Sequence, residues 1–307
     1  MRRADSKRGN YALLFQQFKK ENENMKLSRF ITGALLAGLS ATHGAKEPIP
    51  RKGVFRDVVE ISNAKRETSD LAKAAQNPIA NMISLPLQDN INTGIGPNDE
   101  TQNVLNIQPV YPFAISENWN VITRTILPVI SQPDVLTGGN GRVDGVGDLN
   151  FTAFFSPAAA SKVTWGVGPA VVLPTASNRV LGSEKWSAGP ALVVLTMPGH
   201  WVIGSLFSDV ISLGGSGDDV HLFTWQYFIN YNLPKGWYLS TSPIMTANWE
   251  ASSSDTWTVP LGAGAGKIFK IGKQPMNLQA HAYKNVVSPT FGADWQFRLQ
   301  LQFLFPK

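Results

Sequence analysis

The last twelve residues before the C-terminal Pro-Lys alternate between apolar and polar side chains, from Asp294 to Phe305. Side chains on a strand point to opposite faces in turn, so this segment predicts a strand with two different faces. The apolar face carries Trp295, Phe297, Leu299, Leu301, Phe303 and Phe305. The polar face carries Gln296, Arg298, Gln300 and Gln302. Globular strands usually have about five or six residues, whereas about nine to eleven cross a bilayer at a tilt. The segment is long enough to span a membrane.

The same alternation recurs along most of the chain at regular spacing. Together with the last segment it predicts strands near 81–92, 102–115, 119–131, 146–156, 162–175, 185–196, 200–213, 220–233, 237–249, 256–268, 275–287 and 294–305. Tight turns alternate with longer loops between them, which is the layout of bacterial outer-membrane barrels. The sequence therefore predicts an all-β fold, a transmembrane antiparallel β-barrel of about 12 strands, with a short, partly helical N-terminal extension.

The basic charge of the chain is confined to its N-terminus. The formal net charge is +5, and residues 1–45 contain 8 Lys/Arg against 3 Asp/Glu, so the remainder is balanced. Because the rest of the chain has no net charge, it offers no basic surface for the phosphates of a nucleic acid, and we expect no nucleic-acid partner. From Met25, a basic start, an apolar stretch and small residues resemble a secretory signal peptide, with an anchoring helix as the alternative. Met25 is the predicted true start.

Three regions follow from these patterns. Residues 1–45 are predicted to be an upstream segment and signal peptide. Residues 46–80 are predicted to be a polar periplasmic extension or plug, with a short helix that Pro78 ends. Residues 81–307 are predicted to form the barrel. Cysteine is absent, which excludes disulfides and cysteine-based metal or redox chemistry. We expect no cofactor, no metal site and no catalytic residues.

Aromatic residues predict where the barrel meets the membrane surface. Of the nine Trp residues, seven fall at predicted strand ends, where an indole finds both apolar and polar surroundings. The predicted membrane-interface residues are Trp119, Trp186, Trp201, Trp237, Trp249, Trp257 and Trp295. The alternative is that these tryptophans belong to an ordinary protein core, but core tryptophans would lie in the middle of strands more often.

Polar residues on the inward faces are the candidate functional residues. The predicted lumen-lining residues are Arg124, Asp148, Asn150, Gln226, Asn230, Asn248, His281, Gln296, Arg298, Gln300 and Gln302. Because buried charges need partners, Arg124 and Arg298 are expected to pair with Asp148 or Glu250. The alternative is a polar network that only fills a narrow barrel.

Two further features have a functional and a structural interpretation. Gly262, Gly264 and Gly266 share one strand face and are interpreted as inner clearance, which leaves space for a ligand, the N-terminal segment or close packing. The glycine-rich run at 262–267 does not match a phosphate-binding loop, because Ile268 stands where that motif needs Ser or Thr. His281 is the candidate base of a lipid hydrolase, but its predicted inward position favours a lumen hydrogen-bond network.

Five segments resemble one family of outer-membrane proteins. They are residues 101–134, 165–176, 186–201, 228–239 and 295–307, and they are similar to the "MetA-pathway of phenol degradation" family of transporters. Unlike most barrels, the chain ends on Pro306-Lys307 after its last aromatic residue. The resemblance implies a barrel in the outer membrane of a Gram-negative bacterium, related to channels for hydrophobic compounds. The family brings no catalytic residues.

The expected function is passage of small, hydrophobic or aromatic compounds. The alternatives are a barrel enzyme acting on lipids and a structural or surface barrel without transport. The expected partners are outer-membrane lipids and lipopolysaccharide, the barrel-assembly machinery and a small hydrophobic ligand.

Overall fold

The structure is a computed structural model that describes residues 66–134, 141–159 and 161–306. The predicted signal peptide, the start at Met25 and the first part of the predicted extension lie outside these residues. Within them, strands dominate and one α-helix, α1, comprises residues 66–75. Among the described residues, no helix has the length and apolar character needed to cross a membrane.

Within the described part of the chain, fifteen strand segments make up the sheet. They are β1 (Ile83–Ile95), β2 (Glu100–Ile107), β3 (Val110–Ala114), β4 (Trp119–Pro133), β5 (Arg142–Val146), β6 (Leu149–Pro157), β7 (Val163–Leu173), β8 (Lys185–Thr196), β9 (Trp201–Gly215), β10 (His221–Asn232), β11 (Trp237–Thr241), β12 (Ile244–Asn248), β13 (Trp257–Ile271), β14 (Gln274–Val287) and β15 (Trp295–Phe305).

Three pairs of consecutive segments each form one strand of the wall. β2 and β3 both pair with β4, β5 and β6 both pair with β4, and β11 and β12 both pair with β10. Two of the breaks contain a proline, Pro109 and Pro243, which cannot donate a hydrogen bond to the neighbouring strand. The wall therefore consists of twelve strands built from fifteen segments.

The sheet closes on itself. β1 pairs with β15 in antiparallel register, from Ile83 opposite Phe305 to Thr93 opposite Trp295. Closure removes the open edge that lipid could not satisfy with hydrogen bonds. The prediction of a transmembrane antiparallel barrel of about 12 strands with a partly helical extension is confirmed.

The alternation in β15 separates the lumen from the outer surface. Arg298 is only 3% exposed on the inner face, whereas its neighbours Phe297 and Leu299 are 44% and 52% exposed on the outer face. Burying polar groups inside and leaving apolar groups outside suits a barrel in lipid, where the solvent outside is apolar.

The two ends of the barrel have different connections. One end, the short-turn end, carries the connections 115–118, 158–162, 197–200, 233–236 and 272–273. The two-residue turn between β13 and β14 contains Gly272 with φ of +59°, a left-handed conformation that favours glycine. The other end, the long-loop end, carries connections of up to eleven residues, such as 174–184, although its first, 96–99, has four.

Helix α1 lies inside the short-turn end. Ala72 packs with the inward side chains Met82, Tyr238, Ile268 and Leu304 in one apolar cluster. The helix ends shortly before Pro78, as the sequence predicts, because the residue before a proline is disfavoured in helical conformation.

Polar contacts fix α1 to several strands of the wall. The Glu67 carboxylate accepts a hydrogen bond from Lys270 Nζ at 2.6 Å. The Gln76 and Asn232 side chains exchange two hydrogen bonds, of 2.9 and 3.2 Å. Lys73 Nζ donates to the backbone carbonyl of Met197 at 3.4 Å. These contacts lie along one arc of the barrel end, from the β8–β9 turn through β10 to β13.

At the long-loop end, Asp255 joins two neighbouring loops. Its carboxylate accepts hydrogen bonds from Thr290 N at 2.7 Å, Thr290 Oγ1 at 2.8 Å and Ser252 Oγ at 3.0 Å. These bonds, with that from the Thr290 backbone N–H first, hold the pKa of Asp255 below its ordinary value. The stabilising contact is complete above the unfolded Asp pKa of about 3.9 and is lost as the pH falls through the lower folded pKa.

We expect Asp255→Asn to loosen the loop at 288–294, because an amide accepts fewer and weaker hydrogen bonds than a carboxylate. Backbone hydrogen exchange in that loop should be severalfold faster than in the wild type at pH 7, and the difference should vanish below the folded pKa. Asp218→Asn, in the loop at 216–220, is the control. Equal exchange of wild type and Asp255→Asn at pH 7 would contradict the role of Asp255.

Candidate functional site: the lumen cavity

A cavity of about 140 Å³ lies in the lumen above α1. Residues 74–80, which end the helix and lead to β1, contribute Ala74, Gln76 and Pro78 to one side. Inward side chains of the surrounding strands form the remainder. Residues 74–80 and the strands of the wall together therefore form this cavity.

The lining has a polar part and an apolar part. The polar part is rich in side-chain amides and hydroxyls and includes Ser84, Gln88, Gln108, Gln226, Asn230, Ser240, Ser242, Gln279, Gln300 and Gln302. The apolar part includes Met82, Val110, Leu206 and Phe228. A cavity with convergent polar groups on an apolar background is typical of small-molecule sites.

Two arginines line the same cavity. Arg124, on β4, donates from Nη2 to Gln108 Oε1 at 2.6 Å. Arg298, on β15, donates from Nε to Asn90 Oδ1 at 3.0 Å, from Nη1 to the Ser242 carbonyl at 2.9 Å and from Nη2 to Gln296 Oε1 at 3.1 Å. All of these acceptors are neutral.

The prediction that these arginines pair with Asp148 or Glu250 is wrong. The Asp148 carboxylate accepts hydrogen bonds from Ser183 N at 2.6 Å, Ser183 Oγ at 2.9 Å and Ala176 N at 3.1 Å. It lies in the break between β5 and β6 and organises the loop at 174–184. Glu250 is exposed in the connection after β12. Both acids belong to the long-loop end, away from the cavity.

His281 is buried in the wall without a polar partner. Its ring stacks on Tyr283 at 5.6 Å between centroids. Neither ring nitrogen has a hydrogen-bond partner among the described residues. The residue therefore does not take part in the hydrogen-bond network that its inward position suggested.

The other predicted lumen residues fall into two groups. Gln226, Asn230, Gln300 and Gln302 line the cavity together with the two arginines. Three lie elsewhere: Gln296 donates to Asn92 at 3.2 Å, Asn248 ends β12 at the long-loop end, and Asn150 is half-buried on β6.

Sequence reasoning missed part of the lining. Gln88, Gln108, Ser240 and Ser242 line the cavity but are not among the predicted residues. The alternation in β1 marks Ser84, Gln88 and Asn90 as inward, since every second side chain there is buried. Testing each strand for the same parity would have identified them.

The glycine face of β13 lies beside Tyr238. A Cβ at Gly266 would collide with the Tyr238 ring, and at Gly262 and Gly264 it would collide with the backbone of β14. The Tyr238 hydroxyl donates to Asn277 Oδ1 at 2.6 Å. The space left by Gly266 is therefore occupied by a tyrosine of the neighbouring strand.

The seven predicted interface tryptophans lie at or next to strand ends. Trp119, Trp201 and Trp237 begin β4, β9 and β11 at the short-turn end. At the long-loop end are Trp186, Trp249, Trp257 and Trp295.

A second cavity, of about 290 Å³, lies on the outward face of the wall. It is lined by Val167, Leu192, Phe207 and Phe223 with Asp209, whose carboxylate is 3.3 Å from His221 Nε2. Strand pairing between β8 and β9 is interrupted beside it, at Gly189 and Pro190. This cavity faces away from the lumen.

Comparisons with known proteins identify the fold. No family model matches the sequence, and no curated protein matches it. The solved structure of the COG4313 outer membrane channel from Pseudomonas putida F1 has a TM-score of 0.54 at 16% identity, over 73% of this chain and 95% of that chain.

Two other solved structures are more distant. The CymD monoaromatic hydrocarbon channel has a TM-score of 0.42 at 11% identity, over 78% of this chain and 92% of its own. The outer membrane phospholipase of Salmonella typhi has a TM-score of 0.40 at 13% identity, over 76% and 96%. Of the three, the Pseudomonas putida channel is similar enough to compare folds, and this chain has an outer-membrane β-barrel fold of that kind.

Proposed function

We propose that the protein is a channel in the outer membrane of a Gram-negative bacterium that passes small, hydrophobic or aromatic compounds. The observation that carries this proposal is the lumen cavity, which is part polar, part apolar and bounded on one side by a short helical segment.

The volume of the cavity supports a channel for small compounds. An apolar protein cavity of about 150 Å³ accommodates one benzene molecule, and the volume here is about 140 Å³. One aromatic ring or a short aliphatic chain therefore fits.

The surroundings of His281 favour a channel over a lipid hydrolase. A catalytic histidine needs a hydroxyl nucleophile and an orienting acid within hydrogen-bond reach. The ring of His281 instead contacts Tyr283, and its nitrogens bond to no described residue.

Purified protein in planar bilayers, together with a deletion strain, tests the proposal. We expect discrete conductance steps, and slower uptake of aromatic compounds by the deletion strain that the wild-type gene restores. His281→Gln should retain both activities. Absence of conductance and of an uptake defect, with phospholipid hydrolysis that His281→Gln abolishes, would establish the enzyme instead.

A further inference from the structure

We infer that the lumen cavity is a binding site for a small organic anion, namely a monocarboxylate with an apolar body about the size of one aromatic ring. This inference rests on the proposed function, because it names the class of compound that the channel selects.

The first support is the charge in the cavity. Arg124 and Arg298 both line it, and their charges repel each other. Within the part of the chain that the structure describes, no carboxylate lines the cavity. Two arginines in the barrel interior lack the counter-charge that buried charges need. An anionic ligand would supply it.

The second support is the supply of hydrogen-bond donors. A guanidinium carries five N–H donors in a planar fork that matches a carboxylate. Arg124 uses Nη2 for Gln108, and its other donors have no partner among the described residues. Side-chain amides of Gln226, Gln279 and Gln300 border the same space and offer further N–H groups. Arg298 is already fixed by Asn90, Ser242 and Gln296, so it is held in place before a ligand arrives.

The third support is the apolar part of the lining. Val110 lies directly opposite Arg124 across the β3–β4 pairing, and Leu206 and Phe228 complete an apolar surface. An inorganic ion would leave this surface against water. A compound with a carboxylate at one end and a hydrocarbon body at the other satisfies both parts of the cavity at once.

Benzoate binding to the full-length protein in detergent, measured by calorimetry, tests the site. We expect benzoate to bind, and benzyl alcohol, which has the same ring without the charge, to bind at least about tenfold more weakly, since charge-assisted hydrogen bonds are the stronger kind. Arg124→Gln and Arg298→Gln should each weaken benzoate binding by about tenfold or more. Arg142→Gln, at the long-loop end, is the matched control and should bind as the wild type does.

A variant that adds a charge separates loss of the site from loss of the fold. Gln300→Glu places a carboxylate in the cavity, where it neutralises the arginines from within. We expect this variant to keep the heat-dependent mobility shift of a folded barrel and to lose benzoate binding. Unchanged benzoate affinity in Gln300→Glu or in both arginine variants would overturn the inference.

The inference and the proposed function fail separately. Conductance without benzoate binding, or with binding of chloride or inorganic phosphate but not benzoate, would leave the channel and overturn the anion site. Benzoate binding that depends on Arg124 and Arg298, in a protein without conductance or uptake, would support the site and contradict the channel.

Discussion

Tyr238→Ala should lower the free energy of unfolding in detergent by about 3–5 kcal/mol, the usual cost of truncating a fully buried aromatic side chain. Tyr238 is 1% exposed and fills the space left by Gly266, so the change leaves a cavity that the glycine cannot fill. It also removes the hydroxyl that donates to the fully buried Asn277. Thermal or denaturant unfolding, followed by the mobility shift of the barrel, measures the effect.

Two variants divide this effect into its parts. Tyr238→Phe keeps the ring and leaves the Asn277 oxygen without its donor, which should cost about 1–3 kcal/mol. Tyr111→Ala removes a ring of the same kind from the outward face, where it is 46% exposed, and should cost less than about 1 kcal/mol. Equal effects of Tyr238→Ala and Tyr111→Ala would contradict the packing described for β11 and β13.

The strands of this barrel could be predicted from sequence because their signal is local. Alternation assigns each side chain to a face, and β15 shows the predicted sides for Arg298 and Phe297. The prediction of twelve strands holds even though Pro109 and Pro243 split two of them. The two halves of each split strand pair with the same neighbouring strand, so the wall is continuous.

The charge pairs could not be predicted, because they depend on the height of each residue in the barrel. Alternation gives the face of a residue but not its distance from the membrane surface, which register between strands determines. Asp148 and Arg124 were both assigned to the inner face, yet Asp148 lies at the long-loop end and bonds to Ser183. The choice between an extension and a plug for residues 46–80 depends on contacts equally distant in sequence: Glu67 of α1 bonds to Lys270, and Gln76, directly after α1, bonds to Asn232, each more than 150 residues away.

Displacing α1 should open the lumen and raise conductance severalfold. Ala72→Arg introduces a long cation where Ala72 is 3% exposed among Met82, Ile268 and Leu304. Burying an unpaired charge costs several kcal/mol, so the helix is expected to leave the barrel end. Single-channel recordings measure the effect. Lys235→Arg, in the turn at 233–236, is the control and should conduct as the wild type does.

We expect compounds to cross the lumen past α1, which lies inside the short-turn end. Because the chain has no cysteine, Glu67→Cys with Lys270→Cys provides a unique thiol pair in place of the ion pair that joins α1 to β13. The two thiols are joined by a short cross-linker that a reductant cleaves, and conductance of the same protein is recorded before and after reduction. We expect low conductance in the cross-linked form and recovery on reduction, with no effect in either single-cysteine variant. Equal conductance in both states would show that the path does not pass α1.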